Sequence, residues 1–170
     1  MRLRENGMEK FCQTWEIMLP LENEGDEDRF LSEWKVNYFF QPLIKRAKVI
    51  MRIKESRHEA ESYYVIVRSA RSGLSLLRYV WGPFKIDEIS SELLVRPDGK
   101  RFVSTFELLE GGNILKQTLN HEHGEVPSAR LYREVDSIGH MVLTEECNGY
   151  KTRRIFKRVP HVQSSEDELL

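Results

Sequence analysis

The chain has 170 residues, the length of a single domain able to bury a core or enclose a cavity. Its 26 Lys and Arg nearly balance 27 Asp and Glu, for a formal charge of -1, so no bulk charge draws it to nucleic acid or to an anionic membrane, and no nucleic-acid partner is expected. Two cysteines, Cys12 and Cys147, are too few for a disulfide framework. The opening "MRLRENGMEKFCQTWEI" lacks the apolar stretch of a secretory signal, and "VNYFF" and "YYVIV" fall far short of a bilayer span. These features read as a soluble, reduced, cytoplasmic protein, with the nucleus left open.

In chain order, helices come first and strands after. Residues 26–48, "DEDRFLSEWKVNYFFQPLIKRAK", open with acids and close with bases, as a helical stretch does. Phe30, Leu31 and Trp34 share helical spacing, as do Phe39, Phe40, Leu43 and Ile44; Pro42 divides the stretch into two short helices. Beyond Lys48 the apolar period becomes two. "KVIMRIK", "SYYVIVRSA", "LSLLRYVW", "KIDEISSELLVR", "RFVSTFELLE", "NILKQTLNHE", "SARLYREV", "HMVLTEEC" and "YKTRRIFKRV" read as successive strands. Ser72-Gly73, Asp98-Gly99, Gly111-Gly112 and Asn148-Gly149 are hairpin dipeptides, so each strand turns back on its predecessor. The expected fold is all-β, an antiparallel up-and-down sheet that closes into a barrel because closure removes exposed edges. Residues 1–10 read as an N-terminal extension, 11–159 as the barrel domain with its helices, and 160–170 as an acidic, disordered tail.

The last hairpin can be read residue by residue. With Asn148-Gly149 as a two-residue type I′ turn, Cys147 opposes Tyr150, Glu146 opposes Lys151, and the pairing runs on to Leu143 with Arg154 and Met141 with Phe156. One face then carries Met141, Leu143, Glu145, Cys147, Tyr150, Thr152, Arg154 and Phe156; the other, with Glu146 and Lys151, is a solvated wall. The first face is an interior containing an arginine. A buried guanidinium needs an anion, and two candidates stand open: Glu145, diagonally across the hairpin, or the carboxylate of a ligand inside the barrel.

"FCQTWEI", the helical stretch ending "KRAK", "PDGKRFVSTFELLEGGNIL" and "MVLTEECNGYKTRRIFKRV", in that order from about Phe11 to Val159, resemble the intracellular lipid-binding protein family, which includes the fatty-acid-binding proteins and the cellular retinoid carriers. The resemblance implies a roughly ten-stranded antiparallel barrel of the calycin type, a helix-turn-helix lid and an internal ligand cavity. It also implies that a ligand carboxylate is met by an Arg-x-Tyr pair on the last strand, which falls on Arg154 and Phe156, and by an arginine two strands earlier, which falls on Arg133 in "LYREV". Phe156 keeps the ring of the tyrosine and lacks its hydroxyl. Gln13 where the family has glycine, a shorter lid, the longer turn "HEHGEVPSA" and extended termini mark a divergent member.

Other residues carry two readings each. Phe40 and the neighbouring aromatics either pack the lid or form a portal that touches lipid; Phe106, on one strand face with Phe102, Ser104 and Leu108, either lines the cavity or is plain core. Lys45, Arg46 and Lys48 either compensate a helix end or guide transient membrane contact through the lid. His121, Glu122, His123 and Glu125 lack a third ligand at a recognised spacing, and no metal or other cofactor is expected. Cys147 has no histidine near it in sequence and no serine sits in a nucleophile elbow, so no enzyme is expected. Ser165, before three acids in "SSEDELL", is either an acid-directed phosphorylation site or part of a solvated tail. The sequence reads as a monomeric intracellular carrier of a fatty acid or similar hydrophobic ligand, with Arg133, Arg154, Phe156, Phe106 and Phe40 as its binding residues. The alternative is an orphan barrel with reduced or lost ligand binding that acts as a protein-interaction module.

Overall fold

The computed structural model describes residues 7–18, 27–36, 41, 48–69, 79–90, 93–96 and 98–161. Ten strands form one antiparallel sheet: β1 (Thr14–Ile17), β2 (Val49–Glu55), β3 (Tyr63–Ser69), β4 (Tyr79–Phe84), β5 (Leu94–Val95), β6 (Arg101–Leu109), β7 (Ile114–His121), β8 (Ala129–Val135), β9 (Met141–Cys147) and β10 (Tyr150–Val159). Their order is β4-β3-β2-β1-β10-β9-β8-β7-β6-β5, a meander whose first and last strands pair in the middle. That β1–β10 seam, with Thr14 opposite Val159 and Ile17 opposite Phe156, curls the sheet into a near-closed barrel. Strands β4 and β5 are left as its two edges.

The β9–β10 hairpin has the register that its turn dictates. Cys147 pairs with Tyr150, Glu146 with Lys151 and Leu143 with Arg154. Asn148 at φ 51° and Gly149 at φ 82° give the two positive φ angles of a type I′ turn, a conformation that asparagine and glycine tolerate best. Met141, Leu143, Cys147, Thr152, Arg154 and Phe156 are buried and Lys151 and Arg153 exposed, so the period of two separates core from solvent as the sequence indicates.

The segment 85–96 is not one strand. Ile86 and Ile89 make isolated bridges to Phe106 and Thr105, Asp87 takes a left-handed φ of 64°, and regular pairing is confined to Leu94–Val95. Asp87 and Glu88, the two residues between the isoleucines, have little β-propensity and nothing apolar to bury. The gap this leaves is filled by Phe84 stacked on Phe106, ring centroids 3.7 Å apart.

Among the described residues, packing begins ahead of the boundary expected at Phe11. Met8 is 1% exposed and joins the barrel core, and the amides of Phe11 and Cys12 donate to its carbonyl. Of the stretch expected to be helical, α1 (Glu27–Glu33) is described. Phe30 and Leu31 bury against Cys147 and Val36, which lays α1 across the β9–β10 end of the barrel. Of the second expected helix only Gln41, which is helical, is described; Phe39, Phe40, Leu43, Ile44, Lys45 and Arg46 lie outside the described residues, as do Ser72-Gly73 and the tail from Val162 on. No helix among the described residues is long and apolar enough to cross a membrane.

Candidate functional site

Beneath α1 lies a cavity of about 120 Å³. Its walls are apolar: Ile17 from β1, Val49 and Met51 from β2, Val67 from β3, Trp81 from β4, Leu131 from β8, Leu143 from β9 and Phe156 from β10, roofed by Phe30, Leu31 and Trp34. Four charged side chains interrupt them, Arg96, Arg133, Glu145 and Arg154. Every strand position named here has inward parity, so the alternation that builds the sheet also selects what faces the cavity.

Arg154 is 8% exposed. Its Nη2 donates to Glu27 Oε1 at 2.8 Å, and its Nε stands 3.6 Å from Glu145 Oε2, an ion-pair distance beyond hydrogen-bond reach. Glu145 is thus a partner, as the hairpin register allows, but the shorter bond goes to a carboxylate of the roof helix. This third candidate is 127 residues away in sequence.

Arg133 has no exposed surface. Its Nη2 donates to Gln117 Oε1 at 3.0 Å, the Gln117 amide donates to Ser104 Oγ at 3.1 Å, and its guanidinium lies 5.8 Å from the Trp81 ring centroid. A polar chain therefore crosses the inner faces of β8, β7 and β6. It satisfies a buried guanidinium in part through neutral groups.

Arg96, just after β5, is buried at 6% exposure. It binds Asp98 through two contacts, Nε to Oδ1 at 2.9 Å and Nη2 to Oδ2 at 2.7 Å. The same guanidinium donates to the carbonyls of Trp34 and Lys35 at 2.8 and 3.0 Å and packs against the rings of Trp34 and Phe102, with centroids 4.5 and 5.2 Å away. Those carbonyls end α1, where Lys35 at φ 55° and a Val36 N–H to Leu31 carbonyl bond form a Schellman-type turn. Burial alone would raise the Asp98 carboxyl, but the hydrogen bond and charge of Arg96 outweigh it and hold the group below its ordinary value. On the other side of the roof, Asn148 Nδ2 donates to Glu33 Oε2 at 3.0 Å. The roof helix is therefore fastened by Arg154, by Asn148 and by Arg96.

Arg133, Arg154 and Phe156 line one cavity, as the resemblance implies. Phe106 does not line it: it is 1% exposed and borders a separate space of about 20 Å³ at the β4–β5 gap, where it stacks on Phe84. Phe40 lies outside the described residues. Sequence reasoning missed Glu27, Arg96 and Gln117. Gln117 carries a readable signal, a polar residue at an inward position between Leu115 and Leu119; Glu27 and Arg96 carry none, because both act across the fold. His121 and His123 belong to turn structure, with the amides of His123 and Glu125 donating to His121 Nδ1. Cys147 is buried under α1, and burial, helped by the charge of Glu33, pushes its thiol up to about 11, which leaves it a weak nucleophile.

Ten meandering antiparallel strands with a short helix over an internal cavity have close counterparts among solved structures. The Echinococcus granulosus fatty-acid-binding protein 1 superposes with a TM-score of 0.72 at 16% identity, over 90% of this chain and all of that one. The fold is that of the fatty-acid-binding proteins. A Schistosoma mansoni fatty acid binding protein in complex with arachidonic acid matches with a TM-score of 0.72 at 18% identity, over 91% of this chain and 99% of that one. As-p18, an extracellular fatty acid binding protein, matches with a TM-score of 0.70 at 16% identity, over 88% and 96%. No protein-family model matches the sequence, and no curated protein matches it by sequence. These solved fatty-acid-binding-protein folds are those of binding proteins, and at such identities the likeness speaks to architecture.

Proposed function

We propose that this protein is a carrier that holds one hydrophobic molecule with a polar end, such as a fatty acid or a similar lipid, inside its barrel. The observation that carries this reading is the cavity under α1: an apolar wall contributed by most of the strands, with the guanidiniums of Arg133 and Arg154 set into it. Such a lining gains about 0.8 kcal/mol for each methylene it takes from water, and the polar groups orient the head. The binding proteins that share the fold support it. The reading is of a binding protein, not an enzyme, working as a monomer in the reducing cytoplasm. The free thiols of Cys12 and Cys147 agree with that location. Transient contact of the lid with a membrane belongs to the same proposal.

The cavity of about 120 Å³ is smaller than the ~300–1,000 Å³ usual for ligand pockets, so a long chain enters only if the roof moves outward. The bonds of Glu27, Glu33 and the α1 carbonyls are the ones that motion must loosen. The same small volume, with Arg154 already bonded to protein carboxylates, favours a second reading: a barrel that has reduced its ligand and works as an interaction module. Native mass spectrometry of protein isolated from its own cells separates the two. A defined mass increment lost on delipidation supports the carrier; a bare chain mass, with no saturable uptake of a C18 lipid, supports the interaction module.

A further inference from the structure

The carrier reading leaves open which polar end the cavity takes, and its charges bear on that choice. Among the described residues three guanidiniums reach the cavity, those of Arg96, Arg133 and Arg154. Three carboxylates stand against them: Asp98 on Arg96, and Glu27 and Glu145 on Arg154. Among the described residues the charged side chains of the lining and their ion-pair partners therefore balance before any ligand enters. A ligand carboxylate would make the site net negative in a poorly solvated space, whereas a hydroxyl, ester or amide head would leave it balanced.

The geometry at Arg154 sharpens the point. Glu27 and Glu145 stand 2.8 and 3.6 Å from its guanidinium, with side-chain exposures of 18% and 15%. A third anion brought to that fork meets two like charges and must first displace Glu27, whose bond helps to hold the roof helix. An independent observation indicates what is still wanted. Trp34 lines the cavity, and its indole Nε1 is buried with no hydrogen-bond partner among the described residues. An N–H in that state is satisfied by one acceptor oxygen, which a hydroxyl, ester or amide head supplies without adding charge.

We propose that Glu27 is the residue that sets head-group selectivity: by occupying Arg154 it biases the cavity toward long-chain lipids with an uncharged polar head and against fatty-acid anions. The inference rests on the carrier reading and narrows it. Specificity here comes from an unfavourable encounter built against the anion as much as from contacts to the favoured ligand.

The test titrates delipidated full-length protein with oleyl alcohol and with oleate, for the wild type, Glu27→Gln and Glu27→Asp, with urea midpoints recorded for each. The wild type should bind the alcohol about tenfold or more tighter than oleate; Glu27→Gln should tighten oleate by about tenfold and leave the alcohol within about threefold. Glu27→Asp, which keeps the charge, should keep the preference for the alcohol. A wild type that binds oleate as tightly as the alcohol overturns the inference even if a variant fails to fold. So does a folded Glu27→Gln protein in which the ratio of the two affinities is unchanged. If the folded wild type binds neither ligand, the carrier reading itself fails and the selectivity falls with it.

Discussion

Replacing Arg96 by alanine is the most direct probe of what holds the roof on the barrel. The substitution removes both contacts to Asp98, the donors to the Trp34 and Lys35 carbonyls, and the guanidinium packed against the Trp34 and Phe102 rings. Both side chains of the pair are under a tenth exposed, so Asp98 is left as a nearly desolvated carboxylate without its counter-charge. Removing one member of such a pair costs about 3–5 kcal/mol, and the overlapping loss of the ring contacts keeps the total near ~4 kcal/mol. That is a large share of the ~5–15 kcal/mol that stabilises a domain. Because the penalty lies mostly in the stranded carboxylate, Asp98→Asn added to Arg96→Ala should cost clearly less than the two single losses combined, with a coupling of about 2 kcal/mol. Urea unfolding followed by tryptophan fluorescence gives the four stabilities, and amide exchange at Trp34 and Val36 reports on the end of α1. A loss below about 1 kcal/mol for Arg96→Ala, or strictly additive losses, would refute the latch.

Three further outcomes follow from the same contacts. The Asp98 carboxyl is held below its ordinary value of 3.8, so its contribution is complete above that pH and is lost as pH falls through the lower folded-state value; the stability advantage of wild type over Asp98→Asn, measured in urea from neutral to acid, should narrow only below about pH 4. Gln117→Leu takes one acceptor from fully buried Arg133 and a donor from Ser104, and should lower stability by about 1–3 kcal/mol in the same assay; an unchanged urea midpoint would show that the polar chain across β6–β8 is dispensable. Phe106→Ala should cost about 3–5 kcal/mol, because it empties the stack with Phe84 at the β4–β5 gap, yet should leave lipid affinity within about twofold since Phe106 borders a separate space; a large drop in affinity at retained fold would place Phe106 in the binding site.

What the sequence by itself determined is what short-range rules control. The switch to a period of two after Lys48 marks the strands from β2 onward but not β1, which precedes α1 and is too short to show a period; Asn148-Gly149, able to take two positive φ angles, fixes the register of the last hairpin and with it the inward face of Arg154, Phe156 and Glu145. Arg133 reaches the same interior by the same parity on β8. The segment 85–96 fails the rule because Asp87 takes a left-handed turn and Ile89 points to solvent, and only the bridges to β6 show where the pairing breaks. Tertiary structure alone decided which charges the roof helix meets. Arg154 is bonded across 127 positions to Glu27, and Arg96 across 62 to the end of the same helix, because the barrel's closure and the lie of α1 over one end set those distances. No local pattern encodes a contact between two elements whose relative placement depends on every strand between them. For that reason the inward direction of Arg154 and its neighbour Glu145 were legible in the sequence, and its closer anion, Glu27, was not.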